Sequence, residues 1–241
     1  MDNMFLSIII PTFNEETRIL DTLNEITTYL QTFSHTWEII VSDDGSTDMT
    51  RDIVSDFNKE HPHTKLISLR HSGKGSAVKN GMLAAVGTYR FICDADLSMP
   101  IQQIDRFLPD KNQCADIIVG SREENDSKRI GEPRKRHIMG RVYNKIIRML
   151  FATEIRDTQC GFKCFRWDSV ENIFRRQRIN GFAFDMEILF IASKANLKIK
   201  IVGIDWYYDH DSRVKPFVDA IYMLRDLAKI RIMYALGKYH Q

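Results

Sequence analysis

Two aspartates one residue apart, Asp94 and Asp96 in the run FICDADLSMP at residues 91–100, are the side chains of this sequence best suited to holding a hard cation. Phe91, Ile92 and Cys93 before them carry the chain out of an interior. In an extended chain, residues two apart point the same way, so both carboxylates are expected to face one site. Carboxylates aimed together repel unless a cation or a proton relieves them. A short acidic motif also arises as a solvated turn at a strand end, so its meaning depends on the elements around it.

Those elements alternate. Residues 5–10 form a β-rich apolar run ended by Pro11, and residues 14–16 (NEE) open a helical pattern with Leu20, Leu23 and Leu30 on one stripe. A second strand is expected over 37–42, closed by Asp43-Asp44-Gly45-Ser46, with a helix after Thr47 and Asp48. A third strand spans 64–69. His71-Ser72-Gly73-Lys74-Gly75 then leads into a small-residue helix over 76–86. Further strands are read at 89–93 and 115–120, with a helix over 101–108 between them. This alternation predicts an α/β domain with a mostly parallel central sheet and helices on both faces. In such sheets ligands bind at the carboxyl ends of the strands. Residues 11–15, 43–46, 73–75, 94–96 and Ser121-Arg122 all follow a strand, so five polar clusters converge on one rim.

Beyond Arg122 the character changes. Residues 123–137 are charged, carry Gly131 and Pro133, and read as a mobile loop. The helix expected over 138–151 sets Arg141, Lys145 and Arg148 on one face and Val142, Ile146, Met149 and Leu150 on others. Two readings stand: a solvated helix packed on the domain, or a basic amphipathic helix against anionic headgroups. RDTQCGFKCF at 156–165, a helix over 184–193 with Asp185 and Glu187 in its first turn, a late strand over 199–206 and a final helix from Pro216 complete the chain. One catalytic domain is expected over 1–212, including the loop and basic helix of 122–152. The helix within 213–241 is expected to pack on that domain, on a membrane or on a second subunit.

At 241 residues the chain can bury a sizeable core, and a net charge of +2 carries no polyelectrolyte signal, so no nucleic-acid partner is expected. The N-terminus, MDNMFLSIII, reads as neither a signal peptide nor a membrane span, and a cytoplasmic location, peripheral on the membrane at most, is expected. Cys93, Cys114, Cys160 and Cys164 show no paired CxxC spacing and read as reduced thiols. His61-Pro62-His63 reads as a solvated turn.

PTFNE at 11–15, DDGSTD at 43–48, GKGSA at 73–77, DAD at 94–96 and GSR at 120–122 together resemble family 2 glycosyltransferases of the nucleotide-sugar-binding GT-A fold. DTQCGFK at 157–163 and FDMEIL at 184–189 are similar to the polyprenyl-phosphate branch, nearer its glucosyl-transferring than its mannosyl-transferring members. The resemblance implies an inverting transfer of a hexose from a nucleotide sugar, UDP-glucose before GDP-mannose, to a polyprenyl phosphate. A sugar or protein hydroxyl as acceptor, or nucleotide-sugar binding without catalysis, are the alternatives. It implies that Pro11, Thr12, Glu15, Asp43, Asp44, Lys74 and Ala95 line the donor site. Mg2+ or Mn2+ would be held by Asp94 and Asp96, with Asp96 favoured as the direct ligand. Asp43 is the weaker choice of the Asp43 and Asp44 pair, because stabilising its own turn accounts for it as well. Arg122, Lys163, Arg213 and Lys215 are the candidate cations for the acceptor phosphate. Asp157 is either a base for an alcohol acceptor or a group that orients Arg122 or Lys163.

Overall fold

The computed structural model describes residues 4–108, 115–151, 153–209 and 216–239. Its centre is a seven-stranded sheet. Four parallel strands, β1 (Leu6–Thr12), β2 (Trp37–Asp43), β3 (Thr64–Ser68) and β4 (Tyr89–Ile92), form the first half. The second half holds β5 (Ile117–Ser121), β7 (Lys163–Arg166) and β8 (Ile199–Gly203). The order is β3-β2-β1-β4-β7-β5-β8, and β7 runs antiparallel to both neighbours. Apart from that strand the sheet is parallel, as its alternation with helices predicts. A separate parallel pair joins β6 (Lys128–Ile130) to β9 (Asp205–Tyr207).

Pleating divides the apolar runs between two cores. Leu6, Ile8 and Ile10 of β1 face one cluster, with Ile39 and Val41 of β2, while Ile9 and Ile40 face the other. The first cluster is closed by α1 (Ile19–Leu30) and α2 (Thr50–Glu60) through Leu23, Ile26, Val54 and Phe57. The second is closed by α3 (Lys74–Ala84), α5 (Trp167–Arg176), α6 (Phe184–Lys194) and α7 (Pro216–Ala235). Residues buried on both faces explain why these strands read as near-continuous apolar runs. Met223, Leu227 and Ile230 bury α7 on the domain.

The structure departs from the sequence reading where polar contacts intervene. Helix α1 begins at Ile19 rather than near Asn14. Asn14 sits at φ 55°, and the N–H groups of Asn14, Glu15 and Glu16 donate to Ser46 Oγ, Thr50 Oγ1 and Asp48 Oδ2. The late strand read over 199–206 is two strands: β8 stays in the main sheet and β9 joins β6. Residues 123–133, read as a loop, carry β6, and Arg129 pairs with Glu123 and Glu132 at 2.5 and 2.7 Å. Helix α4 (Arg134–Phe151) starts four residues earlier than its apolar pattern suggested. The helix read over 101–108 is a 3₁₀ helix, Ile101–Arg106.

Candidate active site

The paired registers Thr12–Asp43, Asp43–Ser68 and Ile92–Lys163 set the ends of neighbouring strands along one rim. Asp43 is fully buried there and serves its own turn. Its Oδ2 accepts from the N–H groups of Gly45 and Ser46 at 3.1 and 3.0 Å, and Arg51 lies at 3.4 Å. Asp44 is buried beside it, accepting from the N–H groups of Ser72 and Gly73 at 2.9 and 2.8 Å, with His71 Nδ1 at 2.9 Å. Both aspartates, expected against the donor, are therefore occupied by protein. What they position is the 71–75 loop and the Phe13 ring, stacked on His71 at 4.3 Å. Thr12 Oγ1 is buried at this rim with no hydrogen-bond partner among the described residues. Pro11 precedes it on β1, and Glu15 pairs with Arg18 at 3.2 Å.

The glycines of the 71–75 loop serve packing more than phosphate approach. A Cβ on Gly73, whose φ is 118°, would lie 2.5 Å from the Asn180 carbonyl, and one on Gly75 would lie 2.6 Å from that of Ile179. The loop is thus pressed against residues 179–181. That strap is held by buried Glu187, which accepts from the N–H groups of Arg178 and Ile179 and from the Tyr239 hydroxyl.

Between these elements Lys74 Nζ reaches Asp94 Oδ1 at 2.6 Å. Burial works against the Lys74 charge, but Asp94, then Asp185 and Asp96, hold its pKa above the usual value. Asp96 opens to solvent and accepts from the Ser98 N–H at 2.9 Å. Surrounding protein thins its hydration, and this, then the Asp94 charge, raises its pKa. The two acids share a site through a loop rather than a strand pleat: β4 ends at Ile92, and Leu97 turns the chain at φ 43°. Ala95 is buried between them, its carbonyl accepting from Thr22.

The segment leading into β7 supplies the opposite wall. A Cβ on Gly161 would stand 2.1 Å from Asp94 Oδ2, so only glycine leaves that carboxylate its place. Lys163, expected at the acceptor phosphate, is instead buried, donating to Asp185 Oδ1 at 2.6 Å and to the Cys160 carbonyl. Burial raises the Asp185 pKa, with Lys163 and Lys74 opposing. Asp94, Lys74, Asp185 and Lys163 form a row of alternating charge. Arg122 meets Asp157 through two parallel bonds of 2.7 and 2.8 Å, and its own N–H adds a third at 3.0 Å. Asp157 is fully buried, yet the Arg122 charge and bonds hold its carboxyl down at about 2. The Arg122 side chain keeps 20% exposure, with the Trp206 ring 5.3 Å from its guanidinium carbon. Arg213 and Lys215 lie outside the described residues.

Continuity around the rim runs from Asp44 through Ser72 and Gly73 to Lys74, on to Asp94 and Gly161, and then to Asp157 and Arg122. Sequence reasoning missed Trp206, the Lys163–Asp185 pair and the Glu187–Tyr239 bond. Asp185 and Glu187 in one helical turn were the only signal. Cys93, Cys160 and Cys164 are free and buried, and burial lifts the Cys160 and Cys164 thiols to about 12. Cys114 lies outside the described residues.

The architecture is shared with solved enzymes. Glucosyl-3-phosphoglycerate synthase from Mycobacterium tuberculosis, in complex with Mn2+, uridine diphosphate and phosphoglyceric acid, matches with a TM-score of 0.70 at 16% identity, over 98% of this chain and 78% of that one. At that identity the likeness shows the fold, which is the GT-A fold of nucleotide-sugar transferases. The chain belongs to glycosyl transferase family 2, whose sequence model matches residues 7–174. It is 33% identical to the dolichyl-phosphate beta-glucosyltransferase of Dictyostelium discoideum, over 98% of this chain and 77% of the relative. To the enzyme of that name from Saccharomyces cerevisiae it is 30% identical, over 99% of this chain and 77% of the relative.

Proposed function

We propose that the chain transfers a hexose, glucose favoured, from a nucleoside diphosphate sugar, UDP-glucose favoured over GDP-mannose, to dolichyl or another polyprenyl phosphate with inversion. The observation that carries the acceptor class is the commitment of Asp157, the base that sequence offers, and of Asp185 and Glu187, the two further buried acids that a hydroxyl acceptor could use. Asp157 is locked to Arg122, Asp185 to Lys163, and Glu187 to the 178–179 backbone and Tyr239. A sugar or protein hydroxyl needs a proton removed as it attacks; an ionised phosphate oxygen does not. The names of the relatives support the same acceptor.

The residues present fit a divalent cation. Asp94 and Asp96 are hard oxygen donors, and the bare Cα of Gly161 gives the Asp94 carboxylate the room it occupies at this edge. Among the described residues no group of three or more His, Cys, Asp or Glu could hold a metal, so donor phosphates and water would complete the coordination of Mg2+ or Mn2+. Such an ion supplies Lewis-acid stabilisation of charge developing on the departing diphosphate. Lys74 adds a fixed cation at the same edge. Thr12 Oγ1 offers the donor a hydrogen bond. Arg122, oriented by Asp157, presents its exposed edge to the acceptor phosphate. An acceptor oxygen attacks C1 of the sugar as the bond from C1 to the diphosphate oxygen breaks, and the electron pair leaves on the diphosphate. An α-linked donor then gives a β-linked product.

The test is transfer of radiolabelled sugar from UDP-glucose and GDP-mannose to a short polyprenyl phosphate, with Mg2+, Mn2+ or chelator. Metal-dependent label from UDP-glucose in an acid-labile lipid product is expected. Label reaching only hydroxyl acceptors would overturn the acceptor class, and label from GDP-mannose alone would overturn the donor.

A further inference from the structure

Asp157 holds the Arg122 side chain by one edge. The two parallel bonds use Nε and Nη2, and Nη1 donates to no described residue. Bonds in the plane of a guanidinium fix that edge and leave the group to tilt about it. The Trp206 ring meets the other coordinate. The guanidinium carbon stands over its face, 5.3 Å from the centroid and within cation–ring range. A ring face holds a guanidinium without taking an N–H group and without neutralising its charge. A second carboxylate in that place would do both, and would compete with an incoming phosphate.

Trp206 is itself seated from the other end of the site. It is 6% exposed and shares a core cluster with Ala95, Met99 and Ile101. Its neighbours on β9 are fixed to the segment that leaves Asp96. The Tyr207 N–H donates to the Ser98 carbonyl at 2.7 Å, and the Ser98 N–H donates to Asp96 Oδ1 at 2.9 Å. Gln103 brackets Asp205: its Nε2 donates to the Asp205 carbonyl at 2.8 Å, and its Oε1 accepts from the Asp205 N–H at 2.7 Å. On β6 the register partner of Trp206 is Arg129, whose Nε donates to the Arg122 carbonyl at 3.2 Å. Strand β9 thus spans the site from the Asp94–Asp96 loop to Arg122. We infer that Trp206 is a positioning residue for Arg122. Its ring fixes the tilt of the guanidinium, so that the edge Asp157 leaves free faces the acceptor phosphate, and β9 sets the ring from the segment that follows Asp96. The inference rests on the proposed function for what Arg122 meets, and on the geometry alone for how Arg122 is held.

Two readouts on the whole chain separate these. In protein carrying isotopically labelled arginine, the Arg122 Nε–H resonance, assigned through R122K, should be shifted by the ring in wild type and lose that shift in W206L. In turnover of UDP-glucose with a short, water-soluble polyprenyl phosphate, W206L should raise the acceptor KM about tenfold, the factor a partly desolvated cation–ring contact supplies. UDP affinity in calorimetry should be retained. W206F keeps a ring face and should recover most of the loss. Q103A, which touches neither Arg122 nor the ring face, should raise the acceptor KM in the same direction by loosening β9. In an R122Q background W206L should add nothing. An unchanged Arg122 resonance in W206L, an equal loss of UDP affinity, or the same KM factor with and without Arg122 would overturn the inference. Should circular dichroism show W206L unfolded, Q103A decides by the same two readouts, and an Arg122 resonance and acceptor KM both at their wild-type values overturn it. A lost ring shift with the acceptor KM unmoved would uphold the positioning and sink the reading of Arg122 as the acceptor cation.

Discussion

Replacing Asp157 by Asn tests the central electrostatic claim about this site. The substitution keeps shape and an acceptor oxygen but removes the charge opposite the partly exposed Arg122. In the native protein the Arg122 charge and bonds lower the Asp157 carboxyl from an ordinary value of 3.8 to about 2, so its ionised form stabilises the fold by roughly 2–3 kcal/mol. Stranding the partner charge can raise the loss to about 3–5 kcal/mol. The group has a depressed folded pKa, so its contribution is fully present above about pH 4 and disappears as pH falls toward 2. Urea unfolding of wild type and D157N at pH 7 should differ by about 2–4 kcal/mol, and the gap should shrink as pH is lowered from 4. Turnover should fall with donor affinity retained, because Arg122 loses its orientation. Turnover lost with an unchanged unfolding curve would refute the reasoning and restore Asp157 as a base. So would a stability gap independent of pH.

Asp96→Ala should abolish metal-dependent UDP binding in calorimetry; an isotherm unchanged by the substitution removes Asp96 from the cation site. Gly161→Ala should displace the Asp94 carboxylate, whose oxygen lies 2.1 Å from the added carbon, and weaken metal-dependent donor binding with little change in unfolding midpoint. Equal donor affinity in that variant would show that Asp94 can move without cost. Tyr239→Phe should cost about 1–2 kcal/mol in denaturant unfolding by leaving Glu187 one hydrogen bond short. It should also raise the donor KM, because Glu187 holds the strap behind Lys74. A stability loss with donor KM unchanged would uncouple the strap from the donor lip.

Much of the sheet was legible because buried parallel strands are continuous apolar runs bounded by turns, as in Ile8-Ile9-Ile10 and Ile39-Ile40-Val41. Strand β7 was not: it is four residues long and carries Lys163 and Arg166, so only pairing with β4 and β5 makes it a strand. Residue positions at the rim were legible for the same reason as the strands, since each polar cluster follows one. Their orientation was not. Lys163 looked like a free phosphate-binding cation because its partner, Asp185, is 22 residues away in sequence. Asp43 and Asp44 looked alike, yet one caps its own turn and the other anchors the 71–75 loop. Such choices depend on which backbone N–H groups the folded chain brings within reach, and local spacing carries no record of them.

The reversed direction of β7 has an architectural consequence. A strand parallel to the rest would deliver its outgoing loop to the rim; this one delivers the stretch that enters it, with Asp157 and Gly161. The sheet therefore has a seam between β4 and β7. On one side, four strands and their exits form the half proposed to hold the nucleotide. On the other, the stretch between Arg122 and Asp157 hangs from the bonded pair those two residues make, and a change of its length leaves the registers of the first half in place. Under the proposed function, a new acceptor calls for changes in that stretch and leaves the donor side as it is.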